Sequence, residues 1–180
     1  MACTLVKGTT PIPTSWKNFL QNYGNKVNLF SSLSTAVINK TSNSEVVIYS
    51  TREDKVIANT VQGISQVNLK NVSPCNQEEA DGRIIFHLAD ASHQGHSKAM
   101  VRTVDSDVIV IGISKFEHLG LQELWIDFGT GKAHRYIPVH TICQNLGPDR
   151  CCALPLFHSF TGCDTTSSFL GIGKKTGWNA

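Results

Sequence analysis

Two carboxylates one residue apart, Asp105 and Asp107 in Val101-Arg-Thr-Val-Asp-Ser-Asp-Val-Ile-Val-Ile-Gly112, interrupt an otherwise apolar run. Charge so near a core is costly unless it is hydrogen-bonded, paired or bound to a metal. Val101 to Val104 reads as a buried strand, with a second apolar run from Val108 to Ile111 just past the acids. Ligands of open α/β sheets bind outside the carboxyl ends of the strands, and this spacing sets both acids there. A second group, Glu78, Glu79 and Asp81, opens a stretch in which Ala80, Ile84, Ile85, Leu88 and Ala89 recur at helical spacing, so a helix is predicted from Gln77 to about Ala91. A third lies in Gly162-Cys163-Asp164, after an apolar helix and before Gly171-Ile172-Gly173-Lys174-Lys175. Carboxylates gathered from separate segments suit Mg2+ or Mn2+, hard ions that take carboxylate and water oxygens. Two such ions about 3.5–4 Å apart can activate a water, neutralise a pentavalent transition state and stabilise a leaving alkoxide. Each block also has a plainer reading. Asp at a strand end caps a turn or helix, and acids in a first helical turn are favoured by the dipole. A glycine-rich turn with two lysines can be an ordinary helix connection.

In this order the blocks resemble the flap-endonuclease branch of the PIN-like nucleases. There a Glu-Ala-Glu pair opens a helix, an Asp-x-Asp follows, and Gly-Cys-Asp or Gly-Ser-Asp precedes a helix-hairpin-helix element with a Gly-Ile-Gly turn. Ile137 to Gly147 is similar to that family's helix before the Gly-Cys-Asp helix, so the resemblance runs from about Cys75 onward, nearest in wording to asteroid-type and transposon-associated members. The resemblance implies an α/β fold of PIN-like, α/β/α type, with a mainly parallel sheet flanked by helices and a helix-hairpin-helix element at the end. It implies Mg2+- or Mn2+-dependent phosphodiester hydrolysis of the structure-specific 5′-nuclease type, acting on DNA, with RNA left open, in an intracellular, nuclear setting. Glu79 and Asp81 would bridge or bind the first metal, Asp105 and Asp107 would hold the second, and Asp164 would complete it. Gly171, Gly173, Lys174 and Lys175 would track the nucleic-acid backbone without reading sequence.

Two departures qualify this expectation. Asp81 stands where the family more often has Glu, one methylene longer. The family's first ligand, an Asp ending an early strand, has no counterpart: before Glu78 the only acids are Glu45, Glu53 and Asp54. Arg52 and Lys55 flank the last two, which reads as a solvated turn. The expected site is therefore incomplete, and the chain reads as cut at both ends. The alternative is a catalytically silent PIN-like domain that binds nucleic acid or a protein partner.

The elements that must position these residues follow from periodicity and punctuation. Residues 1–14, with Pro11 and Pro13, are expected to be disordered, and 15–180 to form one domain. Ser15 to Tyr23 and Lys26 to Ile38 read as amphipathic helices with Phe19, Leu20, Leu29, Phe30, Leu33 and Val37 inward. Val46 to Tyr49 and Val56 to Val61 read as strands, and Leu121 to Phe128 with Ala133 to Ile137 as a hairpin across Gly129-Thr-Gly131. A net charge of +2 over 180 residues makes no global case for nucleic acid. No apolar run approaches the roughly 20 residues of a membrane helix. The six cysteines are read as free thiols. His93, His96, His140 and His158 with Cys143, Cys151, Cys152 and Cys163 lack the paired close spacing of a structural zinc site. The two loop histidines, His93 and His96, read as surface residues.

Overall fold

A computed structural model describes residues 6–61, 68–75, 80–163, 167 and 173–178. The chain divides into two compact units, residues 1–78 and 79–180.

In the first unit, α1 (Trp16–Gln21) and α2 (Tyr23–Lys40) precede a hairpin of β1 (Tyr49–Arg52) and β2 (Lys55–Ala58). Both helices start on polar caps: Ser15 accepts from the Asn18 N–H, and Asn22 from the Asn25 N–H. The hairpin turn holds exposed Glu53, in a left-handed backbone at φ 50°, and exposed Asp54, so these acids sit in a solvated turn as expected. The expected inward stripe of α2 is corrected. Phe30, Leu33 and Val37 face solvent, while Asn25 and Ser34 are the buried positions. Ser34 Oγ accepts from Ser50 Oγ at 2.9 Å, and buried Asn59 donates to the carbonyls of Thr41 and Val46. The buried face of α2 is thus joined to β1 by polar groups.

The second unit alternates as its sequence implies: α3 (Ala80–His93), β3 (Lys98–Thr103), α4 (Ser106–Leu119), β4 (Glu123–Phe128), β5 (Arg135–Pro138), α5 (Val139–Leu146), α6 (Pro148–Phe160) and a short α7 (Lys174–Trp178). Strand order is β3-β4-β5, with β3 parallel and β5 antiparallel to β4. The expected β4–β5 hairpin is present. The mainly parallel sheet is corrected to a mixed one, because a short hairpin returns the chain antiparallel where a helix would have kept it parallel. Leu124 and Ile126 of the central strand are almost fully buried, and Leu88, Ile113, Leu119, Val139, Cys143 and Cys151 from α3 to α6 close around them. Along β3, Ala99, Val101 and Thr103 turn inward while Lys98, Met100 and Arg102 are exposed. That alternation marks a sheet covered on one face within its own unit, and the expected buried strand is half-buried. Gly120, at φ 70°, ends α4 in the left-handed conformation that favours glycine. Among the described residues no helix is long and apolar enough to cross a membrane.

Candidate functional site: the carboxylate edge of the sheet

The site grows from the point where β3 stops. Thr103 Oγ1 accepts the Asp105 N–H at 3.0 Å and turns the chain out of the strand. Asp105 then adopts an extended backbone and caps α4, its Oδ1 accepting the Asp107 N–H at 2.9 Å. This is the plainer role weighed for an Asp at a strand end, and it leaves the second carboxylate oxygen uncommitted to the cap. Asp107 lies in the first turn of α4, where the dipole favours an anion. Its Oδ1 accepts the Nε2–H of His158 at 2.9 Å. His158 is in the last turn of α6, where the opposite end of a dipole favours a cation, and its side chain is only 13% exposed. The pair joins the start of α4 to the end of α6, two helices that pack along each other.

Asp81 reaches the same end by a different route. Short links lead from α3 into β3 and from β3 into α4, so both helices run back against the strand. Their last turns meet: a Cβ added at Gly120 would come within 2.9 Å of Ser92 Oγ. Asp81 lies in the first turn of α3, and Asp105 and Asp107 lie at the start of α4, so all three stand at the starts of helices that run back along the strand from the end at which β3 terminates.

A further carboxylate at this edge escaped the sequence reading. Asp127, near the end of β4, is 19% exposed and accepts Arg102 Nη1 at 2.7 Å and the His134 imidazole. The same guanidinium donates to the carbonyl of Gly129 at 2.7 Å. Asp127 is thereby committed to holding β3, β4 and the following turn together. The only available signal was its position facing Arg102 across a parallel pair, which needs the register to be known.

Glu79, Asp164 and Gly171 lie outside the described residues. Of the nucleic-acid residues, Gly173 has no neighbouring atom within 4 Å of an added Cβ, so its smallness serves no packing demand. Lys174 donates to the Gly162 carbonyl, so it ties α7 back to the Gly162-Cys163 block. Lys175 is exposed.

In type, the donors suit a hard divalent cation. In number, the described ones fall short. Among the described residues no group of three or more His, Cys, Asp or Glu side chains stands close enough to hold a metal ion. Asp105 and Asp107 thus supply part of a ligand shell at most, with His158 hydrogen-bonded to the second of them. In the sequence His158 reads only as a member of a loose His/Cys set, and its partnering of Asp107 shows only once α6 lies beside α4. His93 and His96 are exposed, and Cys75, Cys143, Cys151 and Cys152 are free thiols. Comparison with family models, curated proteins and solved structures gives no match to this chain.

Proposed function

We propose that the second unit is a divalent-metal-dependent phosphodiesterase domain of the flap-endonuclease type, acting on DNA or RNA. The observation that carries this reading is the meeting of Asp105, Asp107 and the end of α6 at one strand terminus, with His158 aimed at Asp107 at 2.9 Å. The chain continues from that helix into Gly162-Cys163 and then Asp164, a further carboxylate of a set that still lacks the early-strand Asp. Glu79, Asp81, Asp105, Asp107 and Asp164 would hold Mg2+ or Mn2+, whose chemistry is to activate water and neutralise charge on the scissile phosphate. The protein's own contribution is orientation. Asp105 is fixed by its cap and Asp107 by the imidazole, the kind of outer hydrogen bond that holds a ligating carboxylate. His158 is a positioning residue in this scheme. Lys175 and Gly173 would meet the phosphate backbone.

The catalytically silent binding domain is favoured by a separate observation. Both aspartates already have protein partners, and no three-carboxylate group exists among the described residues. Thermal unfolding with added Mn2+ or Mg2+ tests the first reading. At a metal concentration about 100 times Kd, stabilisation of about 2.7 kcal/mol is expected, and Asp105→Asn with Asp107→Asn should remove it. A folded wild-type protein with no metal-dependent shift would leave the binding domain as the better account.

A further inference from the structure

Arg150, Ala153, Leu154 and Phe157 follow at i, i+3, i+4 and i+7 and so share one face of α6. With Gly177 and Trp178 of α7 they line a cavity of about 270 Å³. Phe157 and Trp178 meet edge to face, centroids 5.4 Å apart at 75°. Such a pair leaves at least one face of each ring uncovered by the other. Trp178 stays 49% exposed despite this contact. Among the described residues no carboxylate lines the cavity, and Arg150 stands exposed at its rim. Lys175, three residues before Trp178, projects from the same side of α7.

An exposed indole beside Arg150, with Lys175 on the same short helix and no carboxylate among the described lining residues, selects a ligand that is flat and anionic at once. We propose that this cavity binds one nucleotide of a single strand, with its base against Trp178 and its phosphate on Arg150 and Lys175. Base-on-aromatic stacking with a cationic border is how proteins hold single strands without reading sequence. A duplex keeps its bases stacked inside and offers only phosphates, so the cavity discriminates strand state. An acidic peptide would satisfy the cations but bring no base face to the indole. The proposal rests on the reading of this protein as one that handles nucleic acid, and adds to it a nucleotide contact on α6 and α7 that the carboxylates do not supply.

The test is fluorescence anisotropy of labelled oligothymidylate of about ten nucleotides, titrated with the whole protein in EDTA so that no metal takes part. Trp178→Ala should weaken binding roughly tenfold or more, and Trp178→Phe should restore most of it. Arg150→Glu should weaken binding and flatten its salt dependence, since a lost phosphate contact releases fewer counterions. A strand with abasic sites should bind wild type about as weakly as thymidylate binds Trp178→Ala. Circular dichroism shows whether each variant keeps its helices. Equal affinity for duplex and single strand, or wild-type affinity in a folded Trp178→Ala, would overturn the proposal. So would displacement of the strand by a Glu/Tyr-rich peptide at lower concentration than by unlabelled thymidylate. Strand binding that persists in EDTA while the metal-dependent thermal shift is absent would remove the nuclease reading alone. The reverse result would remove the nucleotide cavity alone.

Discussion

The helices α2 and α4 bury themselves in opposite ways. The 14-residue α4 puts Val108, Ile113 and Leu119 inside, under a strand whose Leu124 and Ile126 are almost completely covered. The 18-residue α2 is longer, yet its buried positions are Asn25 and Ser34, with Phe30, Leu33 and Val37 facing outward. The difference lies in what each can pack on. Strands of four residues, as in β1 and β2, extend about 13 Å, whereas a helix of 18 residues runs about 27 Å. The six-residue β3 and β4 reach about 20 Å and match the roughly 21 Å of α4. Apolar periodicity shows which face of a helix is fit to be buried. It does not show that a sheet long enough to bury it exists.

If that contrast is right, the largest effect of a single substitution lies under β4. Leu124→Ala should cost about 2–5 kcal/mol, the range for a cavity left at a fully buried leucine. Phe30→Ala should stay within about 0.5 kcal/mol, as surface changes do. Urea unfolding followed by helix signal measures both, and equal losses would break the comparison.

The same contrast explains what could be read in advance. The β3 strand and the β4–β5 hairpin were legible because local signals agreed there: an apolar run stopped by Asp105, and Gly129 at the turn. The second apolar run, Val108 to Ile111, showed a buried segment but not that it is a helix. The inward stripe of α2 was not legible, since Phe30, Leu33 and Val37 have the right spacing for a core that the hairpin is too short to supply. At the site, the order of the acids placed Asp105 and Asp107 at the strand end. The partnering of Asp107 by His158 and of Asp127 by Arg102 was not legible. Both depend on contacts made far along the chain, between residues 51 and 25 positions apart.

Thiol reactivity sharpens the comparison between the two cores. Cys143 is buried in the larger one, and burial first, then Cys151 alongside it, pushes its thiol up to about 12. Because the thiolate is the reactive species, Cys143 should resist alkylation while exposed Cys152 is modified quickly. Cys75 is buried in the small cluster with Val56 and Val72. Few buried apolar contacts mean easier local opening. As urea rises, mass-resolved labelling should therefore reach Cys75 before Cys143. The opposite order would assign the greater local stability to the smaller core.

A smaller effect separates the two roles available to Asp105. As an N-cap, its replacement by Ala should cost about 1 kcal/mol, whereas Asn, itself a good cap, should cost little. As a metal ligand, it should be lost equally in both variants. Metal-free stability of Asp105→Asn close to wild type, with the metal-dependent shift abolished, would show that one side chain does both jobs. A metal-dependent shift retained in Asp105→Asn would leave Asp105 as a cap only.

The smallest expected effect is a pH dependence confined to the second unit, because all seven histidines lie at position 87 or beyond. Burial lowers the pKa of His87 on α3 from its ordinary 6.5 by more than nearby Asp90 raises it. The unfolded chain then takes up this proton more readily than the folded one. The stability that neutral His87 contributes is thus complete above the unfolded pKa and is lost as pH falls through the lower, folded one. The residue is only half-buried, so solvent screening keeps the loss below about 1 kcal/mol. Unfolding between about pH 7 and pH 5 should show this decline in wild type and less of it in His87→Gln. Labelling of Cys75, normalised at each pH to the fully unfolded chain, should shift little across the same window. A decline of equal size in Cys75 protection would mean that the small core opens only together with the large one, and the contrast between them would have to be given up.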